Sequence, residues 1–140
     1  MNRSIFQFSN PRIITSSFVT NRSIEGYDGK HYATELEGQV DLQEDSENEK
    51  EAVVLLTVII NKDEEYIKEK CMPFYCKVTC AAKFSWTKEM SKEELEPFFQ
   101  VNAPSLLLSY VRTHVSFLTT QAGFPAFHIP FINFKHKDME

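Results

Sequence analysis

The sequence predicts an α+β domain: a sheet of four strands packed with one long helix that follows a connector. Two observations carry the prediction. As far as Phe84, apolar residues either alternate with polar ones or gather in short β-branched blocks, both strand patterns. From Ser91 onward the apolar spacing lengthens toward 3.6, and the change of period happens once.

The first strand falls within Ser4 to Val19, rich in Ile, Phe, Thr and Ser and broken at Asn10-Pro11, because proline cannot donate to a central ladder. Turn signals follow from Glu25 to Gly29. Leu36, Gly38, Val40 and Leu42 then alternate with Glu35, Glu37, Gln39 and Asp41, which predicts a half-buried second strand. Gln43 to Glu51 carries five acids against Lys50 and reads as a solvated hairpin loop. Val53 to Ile60 is apolar nearly throughout, with Val53, Val54, Thr57, Val58, Ile59 and Ile60 β-branched, so it is predicted as a central strand covered on both faces. The fourth strand places Phe74, Cys76, Val78, Cys80, Ala82 and Phe84 on one face.

Ser91-Lys92-Glu93-Glu94 matches a capping box and opens a short helical turn carrying Leu95, Phe98 and Phe99. Pro104 suits the first turn of a longer helix and Gly123 the left-handed residue past its end, which bounds the helix at about 104–121. Leu107, Val111, His114, Leu118 and Gln121 share one stripe; Leu106, Tyr110, Thr113 and Phe117 share its neighbour. This apolar sector is wider than one contact requires, so the helix is expected to touch two surfaces. The tail 124–134 is apolar and broken by Pro125 and Pro130, and is expected to lie extended over something.

With 140 residues and 42% hydrophobic content the chain fits one domain, 1–140, with enough apolar surface for a core. Its net charge of −5 gains nothing from phosphate attraction, which argues against nucleic acid as a partner. The longest apolar run, Ala52 to Ile60, is far below the roughly 20 residues that cross a bilayer. No membrane association is expected. Met1 to Phe8 lacks the apolar run of a secretory signal, and three cysteines are an odd set, so a cytoplasmic location with free thiols is expected.

Catalytic patterns are missing. His31, His114, His128 and His136 stand on four separate segments without a paired metal spacing, and Cys71, Cys76 and Cys80 follow a strand period, not a tetrahedral site. The cysteines are read as packing thiols. No phosphate-binding glycine motif or nucleophile elbow occurs, and four glycines leave little for a phosphate cradle. The expectation is no enzyme, no cofactor and no metal. Trp86, Met90, Phe98 and Phe99 instead gather in the connector between sheet and helix, where apolar surface can stay available.

The order Asn102-Ala103-Pro104-Ser105-Leu106-Leu107-Leu108-Ser109-Tyr110-Val111-Arg112, then Gly123-Phe124-Pro125, then Ile129-Pro130-Phe131-Ile132-Asn133-Phe134 resembles the SecB export chaperone family over about Pro97 to Phe134. The four preceding strands agree with that family in number and order. The resemblance implies a four-stranded antiparallel sheet and a dimer of dimers, a homotetramer with its long helices between sheet layers. It also implies ATP-independent holding of unfolded polypeptides in apolar grooves. Members that deliver cargo to the SecA motor are similar in carrying acids along the first strand, whereas Ile14 to Thr20 has none; they continue beyond Asn-Phe into a second helix, while this sequence stops six residues after Phe134. Both departures count against SecA coupling. SecB-like proteins also include dedicated chaperones of antitoxins in toxin–antitoxin modules, a use compatible with a short variant.

The expected client-binding groove is formed by Trp86, Met90, Leu95, Phe98 and Phe99 of the connector with Phe127 and Phe131 of the tail. The expected interface between subunits uses Leu106, Tyr110 and Phe117. Two alternatives remain open on sequence: a dedicated partner for one protein such as an antitoxin, and a small-ligand carrier or enzyme using a pocket between sheet and helix.

Overall fold

The computed structural model describes residues 6–24, 32–42, 49–87, 90–130 and 134. Strands β1 (Phe6–Phe8), β2 (Arg12–Thr20), β3 (Thr34–Leu42), β4 (Glu49–Ile60) and β5 (Phe74–Thr87) form one antiparallel sheet. Both β1 and β2 pair with β5, β1 opposite Phe84 to Trp86 and β2 opposite Phe74 to Ala81. They are two halves of one edge strand, interrupted where Pro11 removes a donor. The sheet therefore has four positions, β1/β2, β5, β4 and β3, as the sequence predicts. The turn signals at Glu25 to Gly29 lie outside the described residues.

Two expectations about β4 change. It begins at Glu49, so the acidic loop is shorter than expected at this end; residues 43–48 lie outside the described part, and Glu51 is on the strand, 3.1 Å from Lys83 Nζ. Nor is β4 covered on both faces: Ala52, Val54, Leu56, Val58 and Ile60 are buried, whereas Val53, Leu55, Thr57 and Ile59 are half-buried. The helix and tail lie on one side only among the described residues. The other side is held by local pairs such as Thr57 Oγ1 to Thr79 Oγ1 at 2.8 Å.

A short helix, α1 (Glu64–Glu69), follows β4 and was not expected. Asn61 and Lys62 turn the chain through left-handed conformations at φ 64° and 52°, and Asp63 Oδ1 then accepts from the Tyr66 N–H at 2.8 Å. Asn61 is buried and bonded at both ends of its amide: its Nδ2 donates to the Phe74 carbonyl and its Oδ1 accepts from the Ala33 N–H. Asn21 Nδ2 donates to the carbonyls of Ile67 and Met72. These two amides close one end of the sheet, where Ile67 of α1 and Met72 are both buried.

After β5, helix α2 (Lys92–Pro97) carries the expected capping box between Ser91 and Glu94. A π-helical turn, Phe98–Asn102, leads directly into α3 (Ala103–Gln121), which has Pro104 in its first turn and ends before Gly123 at φ 89°. Ala103, Leu107, Leu108, Val111 and Val115 are buried in the core with β4 and β5, and Thr119 is buried beside the tail. The sheet-facing stripe thus advances by four from Ala103, so it departs from the expected line through His114 and Leu118, which are half-buried.

Residues 124–130 form neither helix nor strand and are pinned to α3: Thr119 Oγ1 accepts from the Phe127 N–H at 2.9 Å and Ser116 Oγ donates to the Phe127 carbonyl. Phe74 is the centre of the core, with ring centroids of Phe18, Tyr32, Phe124 and Phe127 at 5.0 to 5.8 Å.

Candidate functional site

At the end of the sheet away from α1 the connector folds over β4 and β5. Trp86 and Met90 are buried there with Ala52, and Leu95, Phe98 and Phe99 pack half-buried around them. The Trp86 and Phe99 rings meet edge to face at 5.2 Å. This small second core fixes the connector, and with it the π-turn that aims Phe99 and Gln100 toward β3.

Between that turn and β3 lies a half-open groove of about 460 Å³. One wall is the helix-facing side of β3, Leu36, Gly38 and Val40; the opposite wall is Phe99, Gln100 and Pro104. Val54 and Leu56 form its floor, and Phe134, itself buried, lies at its margin. The groove exists because β3 is the edge strand while α3 centres on β4 and β5. Polarity alternates cleanly here: Glu35, Glu37, Gln39 and Asp41 project from the other side of β3 and are exposed.

Of the residues nominated on sequence, Phe99 lies on this groove's wall. Trp86 and Met90 lie beneath the connector, Leu95 and Phe98 against them, and Phe127 in the main core against Phe74 and Tyr32. Phe131 lies outside the described residues. Leu36, Gly38, Val40, Gln100, Pro104 and Phe134 were missed. The β3 alternation was visible in the sequence, and an apolar face on an edge strand was the signal that could have found half of them.

The outward side of α3 carries a second open region. Tyr110 and Phe117 are 45% and 56% exposed, and with Ile13, Thr113 and His114 they line a shallow depression of about 560 Å³ against β2. Ser16 Oγ lies 2.8 Å from His114 Nε2 across it. Leu106, nominated with Tyr110 and Phe117, is half-buried and packs on the main core.

The thiols behave as their burial dictates. Cys76 and Cys80 are fully buried on the helix-facing side of β5, and burial pushes the Cys76 thiol up to about 12. Cys80 is raised by burial too, against a smaller lowering by the Ala81 backbone. Such thiols are neutral hydrophobes. Cys71 is exposed in a left-handed turn after α1. Among the described residues no three His, Cys, Asp or Glu side chains converge as a metal site.

An antiparallel four-position sheet, a connector with a π-turn, a long helix and a pinned tail define an α+β fold with a groove at its edge strand. The family model for SecB, preprotein translocase subunit SecB, matches residues 8–137, and the chain belongs to that family. The protein-export protein SecB of Anaplasma phagocytophilum is 31% identical over 90 residues, 63% of this chain and 57% of that relative. That of Neorickettsia sennetsu is 34% identical over 79 residues, 56% of this chain and 48% of the relative. The chain thus spans about half the length of the curated relatives it matches.

Among solved structures, the fold is similar to the Mycobacterium tuberculosis Rv1957 SecB-like chaperone in complex with a ChAD peptide from the Rv1956 HigA1 antitoxin. The TM-score is 0.67 at 18% identity, covering 91% of this chain and 88% of that one. A Streptococcus agalactiae protein of unknown function matches with a TM-score of 0.60 at 17% identity, covering 90% and 97%.

Proposed function

We propose that this chain is a chaperone that holds non-native polypeptides without ATP, and that the groove between β3 and the π-turn is where it holds them. The observation that carries the reading is the groove itself: about 460 Å³ of space lined mainly by apolar residues, with Gln39 and Gln100 among them, beside a strand that is unpaired along its outer edge among the described residues. An extended client segment offers what such a site can use, main-chain donors and acceptors for the edge and alternate side chains for the cleft. Membership of the SecB family supports a chaperone role over the enzyme or ligand-carrier alternative. The connector residues nominated on sequence support the site from beneath, through Trp86 and Phe99.

The outward side of α3 is proposed as the contact with further copies of the chain, through Tyr110 and Phe117 with Leu106 at its border, in a cytoplasmic homotetramer. Repeated grooves would then engage one long client at several points, raising avidity by roughly 10²–10⁴ where geometry allows. SecA is not proposed as a partner, since Ile14 to Thr20 carries no acid.

The test is dilution of a denatured model protein into buffer with the purified chain and no nucleotide. Suppressed aggregation, with client co-migrating at the mass of the assembly, is the expected result; aggregation at the unassisted rate over a wide range of ratios overturns the reading. A dedicated role for one antitoxin is the second reading, favoured by the peptide bound to the Mycobacterium tuberculosis neighbour. Competition decides it: a general holdase releases one client when unrelated unfolded chains are added in excess, and a dedicated one does not.

A further inference from the structure

The sheet has a second face, turned away from α3. Because Ala52, Val54, Leu56, Val58 and Ile60 of β4 are buried toward the helix, Val53, Leu55, Thr57 and Ile59 point the other way, and each keeps part of its surface in solvent. A mainly apolar line thus runs down the middle of an open face, the kind of surface that another sheet can cover. The charges on either side of it are sorted by strand. Exposed Glu35, Glu37 and Asp41 stand on β3, and Lys77 and Lys83 stand on β5. They are also matched by row: Asp41 and Lys83 both lie opposite Val53, and Glu35 and Lys77 both lie opposite Ile59. With β4 between them, the acidic and basic columns are roughly 10 Å apart, two strand spacings.

Such a face is complementary to itself. Two copies meeting on the same surface are related by a two-fold axis in the contact plane, and the aligned packing of stacked sheets leaves two choices for it, across the strands or along them. An axis across the strands lays β3 over β3, so the three acids of each copy confront each other. An axis along β4 lays β3 of each copy over β5 of the other at the same height. Asp41 then meets Lys83 and Glu35 meets Lys77, each pair formed twice, while Val53, Leu55 and Ile59 meet their own counterparts. Stacked sheets lie about 10 Å apart, a gap that a carboxylate and a lysine span together. Glu51, on β4 itself, would approach its counterpart, and each is neutralised by Lys83 of its own chain at 3.1 Å. Charge therefore selects the second axis.

We infer that this face is a self-association surface: a second copy of the chain stacks on it, sheet to sheet, about a two-fold axis along β4, with the apolar β4 residues at the centre and the Asp41–Lys83 and Glu35–Lys77 pairs on both flanks. It is separate from the contact through Tyr110 and Phe117, which lies on the helix side of the sheet, so the two contacts together extend the assembly beyond what either makes alone.

The experiment is sedimentation of the full-length chain carrying Tyr110→Ser and Phe117→Ser, which removes the helix-side contact, alone and with Asp41→Lys or Lys83→Glu added. Asp41 is exposed and the Lys83 side chain is 52% exposed, so circular dichroism should be unchanged by either reversal. The parent should dimerise, more tightly at low salt than at high salt. Each reversal alone should weaken the dimer at least about tenfold, because it sets like charges against each other twice. An equimolar mixture of the two reversed chains should recover nearly the parent affinity, since each reversed position then meets a charge of opposite sign. A parent that stays monomeric up to millimolar concentration overturns the inference; so do reversals that leave the dimer intact, and a mixture no tighter than its components. If Lys83→Glu misfolds beside Glu51, Glu35→Lys and Lys77→Glu make the same exchange in the other row: recovery on mixing supports the stack, and its failure overturns it.

Discussion

The two sides of α3 are both apolar, yet only one is consumed by the chain's own folding. Toward the sheet, Leu107, Val111 and Val115 are fully buried, whereas one residue away around the helix Tyr110 and Phe117 are about half exposed. The difference teaches that the apolar sector of this helix is wider than the chain's own core uses. The inner side buys the fold, and the outer side is surplus that a second copy can use. The β3 groove repeats the lesson on the sheet, where Val40 at its rim is 40% exposed while Val54 and Leu56 at its floor are buried.

The largest expected effect breaks the inner side. Phe74 lies at the centre of four aromatic rings, so Phe74→Ala should cost about 3–5 kcal/mol in urea unfolding. This cost should be independent of protein concentration. A Phe117→Ser change should instead destabilise only through assembly, and its cost should vanish on dilution. Equal, concentration-independent costs at both positions would erase the distinction between the two sides.

The next effect is on mass. Tyr110→Ser with Phe117→Ser removes two large apolar groups from the outer depression while leaving Val111 and Val115 in place. Light scattering should show the assembly reduced to smaller species, with far-ultraviolet circular dichroism unchanged. An unaltered mass moves the subunit contact elsewhere on the molecule.

A smaller effect sharpens the inner side through pH. Burial holds the Cys76 thiol at about 12 against an ordinary value of 9.0, so the folded chain keeps a proton that the unfolded chain releases. The stabilisation is complete below pH 9 and is lost as pH rises from 9 toward 12, at up to about 1.4 kcal/mol per pH unit. Cys76→Ala should be less stable at pH 8, because it leaves a small cavity, but its urea midpoint should fall less steeply between pH 9 and 10.5. Parallel slopes would mean that water reaches Cys76 beneath the helix.

Most of the architecture was legible because it rests on local patterns: the period-two runs of β3 and β5, the Ser91 and Glu94 box, Pro104 and Gly123. What was not legible depends on how elements meet. The α1 helix hides in a charged stretch, although Asp63 followed by Glu64 and Glu65 is a helix-start signal, and it is held by the buried amide of Asn21, which donates to the Ile67 carbonyl and carries no periodicity. Connector aromatics were expected to line a groove, but Trp86 is buried under the turn that follows it, because composition cannot say which way a connector folds back. The Leu36, Gly38 and Val40 wall was seen as half a strand and not as a site, since only sheet order makes β3 an edge.

The smallest effect lies on the border between the two sides. Ser16 Oγ and His114 Nε2, 2.8 Å apart, tie the edge strand β2 to α3 beside the outer depression. The pair is partly open to water, which competes for both groups, so its net worth falls at or below the usual 0.5–1.5 kcal/mol of a protein hydrogen bond. A double-mutant cycle of Ser16→Ala and His114→Ala should give a coupling of about 0.5 kcal/mol in urea unfolding at low protein concentration. The tie nevertheless spans β2 and α3 directly beside the depression that Tyr110 and Phe117 share with Ile13 and His114, so its loss bears on that surface first. The same cycle read by subunit dissociation should accordingly return a larger coupling than the one read by unfolding. Equal couplings in both readouts would show that the bond serves the fold alone and that the outer surface of α3 is shaped without it.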